Sequence, residues 1–218
     1  MNMKWYGHAA FGLTTGSGVR IIIDPYESGA FGGAIGHAPI TDSADIVLVS
    51  HDHGDHNHTS DIKGPFTEVR AEGSYDLKGV RISALPVYHD ASQGKERGKN
   101  LIFVIEADGL KVVHAGDLGH LLDQDVLSRI GKTDVLMLPV GGTYTVNAAE
   151  ATQVMNAIKP SVTLPMHYKS EKVALPLAPV EDFTKGKKRV RKVSGPEMEL
   201  TLDSLPEVAE IVLLRFAN

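Results

Sequence analysis

Residues 50–58 read SHDHGDHNH, with four histidines and two aspartates in nine positions. Imidazoles and carboxylates packed this closely are costly to bury without partners, and a cation among them removes much of that cost. The run follows ADIVLVSH (44–51), whose continuous apolar core is that of a strand covered on both faces. A fold that keeps these side chains must bring a buried strand to its end in a polar pocket. A solvated polar loop is the competing reading.

Other strand ends repeat the pattern. VRIIIDP (19–25), VRISALPVYH (80–89), NLIFVIEADG (100–109), LKVVHAGD (110–117), TDVLMLPVGG (133–142) and SVTLPMHY (161–168) are short β-rich runs bounded by turn residues. Asp108-Gly109 predicts a hairpin between two of them. LLDQDVLSRIG (121–131) and AAEATQVMNAIKP (148–160) carry apolar residues at helical spacing and stop at Gly131 and Pro160. A strand-rich first half followed by alternating strands and helices predicts sheets packed on one another with helices outside. No linker, repeat or low-complexity tract interrupts the chain, so one domain over 1–218 is expected. His51, His89, Asp117 and His167 each close a predicted strand, where loops can converge side chains on one point.

Composition narrows the partners. Hydrophobic content of 42% and charged content of 22% are those of an ordinary globular core, and the formal net charge of -5 argues against nucleic acid as a bulk partner. The absence of cysteine removes disulfides and thiolate ligands. MNMKWYGHAAFGL lacks the basic-then-apolar pattern of a signal peptide, and no run reaches the ~20 apolar residues of a membrane span. A soluble, cytoplasmic protein with no membrane partner is expected. A homo-oligomer is left open.

His51 to His56 spell H-x-H-x-D-H. Neutral imidazole is the commonest metal ligand, and carboxylate completes a site for a borderline ion such as zinc. His51 and His53 can point the same way from a strand end. Gly54 permits a sharp turn, after which Asp55 and His56 face a second position. His89 in VYHD, Asp117 in HAGDLGH and His167 in LPMHY follow in that order. With these, the chain resembles the metallo-β-lactamase superfamily of metal-dependent hydrolases from WYGHAAF (5–11) to PMHYKS (165–170). The resemblance implies an α/β fold, a four-layer αββα sandwich of two mixed sheets flanked by helices. It also implies two divalent ions per chain, zinc foremost, with manganese or iron as alternatives. His51, His53 and His89 would hold one, Asp55, His56 and His167 the other, with Asp117 bridging. GH near the start, GGTYT (141–145) and PMHY make the chain most similar to a small branch of hydrolases related to L-ascorbate-6-phosphate lactonase. Aspartate at the bridging position and the lack of cysteine argue against true β-lactamases. His53, where flavodiiron proteins have glutamate, argues against redox chemistry.

The chemistry so implied is attack by a water activated between two ions ~3.5–4 Å apart on a carbonyl or phosphoryl centre. Asp55 would be catalytic as well as a ligand, orienting the water and passing its proton to the leaving group. The expected substrate is a small, anionic metabolite with a lactone, ester or phosphoester bond. A nucleic-acid phosphodiesterase and a metal-holding sensor without turnover are the alternatives.

Weaker signals have two readings each. His8 is either a contact beside the metals or a core histidine, and Asp24 either orients a ligand imidazole or ends a turn before Pro25. Arg97, in the basic loop 90–100, either clamps an anionic substrate or is solvated. Tyr144 offers a phenol to substrate or merely packs. His58 and His120 are polar neighbours of the site, with His120 a candidate substrate contact, whereas His37 and His114 are structural. The glycine-rich segment 27–39 is a lid or a flexible connection, and KGKKRVRK (185–192) a solvated edge strand.

Overall fold

The computed structural model describes residues 1–217. Its strands are β1 (Asn2–Gly7), β2 (Ala10–Thr14), β3 (Arg20–Ile23), β4 (Ile46–Leu48), β5 (Thr67–Val69), β6 (Gly73–Leu77), β7 (Val80–Tyr88), β8 (Lys99–Ala107), β9 (Leu110–His114), β10 (Val135–Pro139), β11 (Val162–Met166), β12 (Val190–Lys192), β13 (Glu197–Glu199) and β14 (Glu210–Leu213). The helices are α1 (Ala30–Gly33), α2 (Gln124–Ile130), α3 (Ala148–Ile158) and α4 (Val180–Thr184). One sheet runs β13-β1-β2-β3-β4-β5, the other β12-β14-β11-β10-β9-β8-β7-β6, and both mix parallel with antiparallel pairs.

Burial follows side-chain alternation. Along β10, Val135 and Met137 join the core between the sheets, with Phe11, Ile23 and Leu48 from the first sheet and Phe103 and Ile105 from the second. Leu136 and Leu138 point the other way, onto Val126 and Ile130 of α2 and Val154 of α3. A strand covered on both faces must be apolar throughout, which is why β10 and β11 read as unbroken hydrophobic runs. Each such large side chain contributes about 1.5–3 kcal/mol of burial. Asp123 caps α2 by accepting from Val126 N, and Asn147 with Glu150 forms a capping box on α3. Asp108 and Gly109 both take positive φ and close the expected hairpin between β8 and β9.

The outer layer over the first sheet differs from the other. Tyr26, Ile35, Ile40, Ile62 and Val173 cover Tyr6, Ile22 and Val47 from loops, and α1 is a single turn broken by left-handed Phe31 and Gly32. Segments 27–39 and 51–64 lack helical periodicity, and a few large apolar side chains suffice to close that face. Among the described residues, no helix is long and apolar enough to cross a membrane.

Strand direction positions the site. β1, β3 and β4 run parallel in the first sheet, and β7, β9, β10 and β11 run parallel in the second. The C-terminal ends of these strands deliver His8, Asp24, His51, His89, Asp117 and His167 to one edge of the sandwich.

Candidate metal centre

The seven residues of the resemblance converge. Nitrogens or oxygens of His51, His53 and His89 lie within 4.8 Å of one another, as do those of His8, Asp55, His56 and His167, and those of His51, His56 and Asp117. Asp117 Oδ2 is the common point. It lies 3.2 Å from His56 Nε2, 3.3 Å from His89 Nε2, 3.2 Å from His167 Nε2 and 3.9 Å from His51 Nε2. Tetrahedral zinc with ~2.1 Å bonds holds neighbouring donors ~3.4 Å apart, so these separations suit shared coordination.

Tautomers fit as well. Ser50 Oγ donates to Asp24 Oδ2 at 2.6 Å, so its 2.9 Å contact with His51 Nδ1 must be accepted from that N–H. His56 Nδ1 donates to Asp24 Oδ2 at 2.9 Å. Both imidazoles therefore turn an Nε2 lone pair inward, where it is buried without a hydrogen-bond partner. One carboxylate thus orients two candidate ligands, and Ser50 N, donating to Asp24 Oδ1 at 2.7 Å, fixes that carboxylate. Asp24→Asn should weaken metal affinity by about 10–100-fold in competition with a chromophoric chelator. Unchanged affinity would contradict this role.

The charge balance calls for a cation. Asp24, Asp55 and Asp117 are 0%, 5% and 2% exposed, and among the described residues no lysine or arginine pairs with them. Burial opposes their ionisation, but surrounding imidazoles hold all three carboxyls below the ordinary range. Burial pushes His8 down to about 4 and His51 down to about 3, so both are neutral, as His51 must be to act as a ligand. His56 goes the other way: burial disfavours its charge, yet Asp117, Asp55 and Asp24 raise its pKa well above the usual imidazole value. A proton there does the electrostatic work that a bound cation would do. On donor type, tautomer and charge, these residues fit a metal.

Other candidates fall around this centre. His8 Nε2 donates to Asp55 Oδ2 at 2.9 Å, from a left-handed backbone shared by Asp24 and His167. Such conformations cost of order 1–3 kcal/mol each and persist where the surroundings demand them. Arg97 and Tyr144 line, with Phe31 and Leu175, a cleft of about 260 Å³ over the site, and the guanidinium stands 5.7 Å from the Tyr144 ring centre. His120 is engaged through both nitrogens, accepting from Tyr88 N at 3.1 Å and donating to Leu121 O at 2.8 Å, and belongs to neither ligand group. His58 pairs with Asp61. His114 donates to Ala9 O at 2.9 Å and stands 3.9 Å from Asp24. Exposed Phe31, at the tip of the glycine-rich segment, forms part of the cleft rim.

Three supporting residues escape sequence reasoning. Ser50 sets His51. Asn100 Oδ1, wholly buried, accepts from Asp117 N at 3.0 Å while Nδ2 donates to Ala115 O. Asp90 accepts from the backbone N–H groups of Ser92, Gly94, Glu96 and Arg97. Partial desolvation opposes that carboxylate, but the four donors bring it down to about 2, and the loop carrying Arg97 is ordered directly behind His89. A polar residue opening an apolar strand, NLIFVIEA, was the one available signal for Asn100. Two glycines allow the close approaches. A Cβ on Gly116, at φ 53°, would lie 2.3 Å from Asn100 Oδ1, and one on Gly141 would lie 2.2 Å from His167 O.

A two-sheet sandwich with clustered histidines and aspartates along one edge defines a metal-dependent hydrolase of the metallo-β-lactamase type. Residues 2–167 match the profile of the Beta-lactamase superfamily domain, and the chain belongs to that superfamily. It is 31% identical to a UPF0173 metal-dependent hydrolase of Archaeoglobus fulgidus, over 93% of this chain and 95% of that one. It is similar to the crystal structure of a Thermotoga maritima protein assigned to the zinc-dependent hydrolases of the superfamily, with TM-score 0.83, 35% identity and 99% of both chains covered. Igni18, a metallo hydrolase of Ignicoccus hospitalis, shares the fold at TM-score 0.64 and 23% identity, over 92% of this chain and 99% of that one.

Proposed function

We propose that this metal-dependent hydrolase holds two divalent ions, zinc foremost, and cleaves a lactone, ester or phosphoester bond in a small anionic metabolite. One observation carries the reading. Asp117 Oδ2 lies within 4 Å of the Nε2 atoms of His51, His56, His89 and His167, so a single carboxylate serves both ligand groups. His51, His53 and His89 would hold one ion, and Asp55, His56 and His167 the other. When bound, such ions supply Lewis acidity and lower the pKa of water toward ~7. Zinc is supported by the Thermotoga maritima relative.

The chain's own side chains do the rest. Asp55 stays ionised, with His8 holding its Oδ2 so that the carboxylate faces the cleft. It orients the attacking water, accepts that water's proton as the new bond forms, and passes the proton to the leaving group as the scissile bond breaks. Phe31 and Leu175 shield the reacting bond, and Arg97, held by Asp90 through its backbone, meets the substrate's anionic group. A charge-assisted contact of this kind is worth about 1.5–3 kcal/mol. Arg97→Ala should therefore raise KM for anionic substrates by about tenfold or more and leave neutral ones nearly unchanged. Screening lactones, esters and phosphodiesters with wild type and variant tests this directly. Equal effects on neutral and anionic substrates would remove Arg97 from the reading.

A further inference from the structure

A second cleft lies at the opposite end of the second sheet. It opens between the C-terminal end of α3, the start of β12 and the start of β14, and encloses about 610 Å³ against about 260 Å³ over the metal-ligand residues. Met155, Pro160 and Ile211 provide apolar lining, and Lys159, Lys188 and Arg189 bring three cations to it. Among the described residues, these three side chains have no ion-pair or hydrogen-bond partner. The acidic lining residue Glu210 is already neutralised by Arg191, with contacts at 2.7, 3.1 and 3.3 Å. Lys187 instead turns inward: its Nζ donates to Phe183 O and, at 2.9 Å, to Thr152 Oγ1, and it lies 4.2 Å from the Phe183 ring centre. That anchor fixes the chain just before Lys188 and Arg189, so the run 185–192 is not uniformly solvated.

We propose that this cleft binds a small organic phosphate, with its phosphate oxygens on Lys159, Lys188 and Arg189 and its apolar body against Met155, Pro160 and Ile211. The volume is that of a small-molecule site with a few convergent polar groups on apolar walls. Unpaired lysine and arginine recognise phosphate through charge-assisted hydrogen bonds. The chain's net charge of -5 argues against a nucleic-acid strand as the bulk partner. Thr163 lines the cleft and His167 lies at the metal centre, four residues further on. At ~3.3 Å per residue the two sites are ~13 Å apart, so a phosphate bound here is out of reach of hydrolysis there.

Isothermal titration of the full chain with ADP as the probe tests the site. One ADP per chain is expected, with affinity weakened about tenfold or more in K188E/R189E, unchanged in Asp117→Asn, and about tenfold tighter than for inorganic pyrophosphate. K188E/R189E should keep its circular dichroism spectrum and its metal content. Absence of saturable ADP binding, or binding lost in Asp117→Asn but kept in K188E/R189E, would overturn the proposal. Pyrophosphate binding as tightly as ADP would exclude the apolar walls. A single-stranded RNA that displaces ADP with higher affinity and a steep salt dependence would replace the small ligand by nucleic acid.

Discussion

Asp117→Asn should abolish hydrolysis and strip the protein of metal while leaving it folded. The change keeps shape and volume but removes the charge that faces four imidazole nitrogens at 3.2–3.9 Å. Lewis-acid stabilisation of developing charge is worth several kcal/mol, and each ~1.4 kcal/mol is tenfold in rate, so a loss of about a thousandfold or more is expected. Metal content should fall below half the wild-type value under the same purification. Circular dichroism should be unchanged, because the inter-sheet core through Met137, Phe103 and Phe11 does not depend on Asp117. Wild-type turnover in this variant would remove the bridging carboxylate from the chemistry.

Metal removal should have the second largest effect. A ligand held at a thousand times its Kd adds about 4 kcal/mol to stability, and each kcal/mol moves Tm by about 2–4 °C in a chain of this size. Dialysis against chelator should therefore lower Tm by about 8–16 °C, reversibly on adding zinc. The stripped protein should also become acid-labile. Burial lowers His8 to about 4 and His51 to about 3, and it lowers His89 and His114 too, so the folded chain refuses protons that the unfolded chain accepts below ~6.5. Stability then falls as pH drops from ~6.5 toward ~4. His56, with its pKa raised by three carboxylates, is already protonated in the folded chain above this window; its contribution is complete below ~6.5 and does not offset the fall. Below ~4 the depressed carboxyls of Asp24, Asp55 and Asp117 add to the loss, as each must be protonated in the unfolded state first. Thermal scans of chelated protein at neutral pH and near pH 5 measure this. A higher Tm at the lower pH would reverse the sign and contradict the assigned charges.

The parts of this site readable from sequence are those that local pattern determines. His51, His53, Asp55 and His56 fall within six consecutive positions and follow an unbroken apolar strand, so spacing and position agree. His89, Asp117 and His167 were visible because each ends a strand of the same kind. Their supports were not. Ser50 and Asn100 matter only through partners brought from other strands, Asp24 and Asp117, and nothing in their neighbourhood signals that contact. The same holds for the fold. β10 and β11 declare themselves by burial on both faces, whereas β5 (TEV) and β13 (EME) are three residues each, too short and polar for periodicity. β13 pairs with β1, Met198 beside Met3, so its strand state depends on a contact across nearly the whole chain.

Metal content per chain is the most direct test of the centre, measured by plasma mass spectrometry on protein purified without chelator or added metal. The imidazoles of both proposed ligand groups that meet at Asp117 Oδ2 predict near two divalent ions per chain, zinc foremost. Two irons would contradict the choice of metal. No metal, with none taken up on reconstitution, would mean that the buried aspartates and histidines of this edge form a purely structural network.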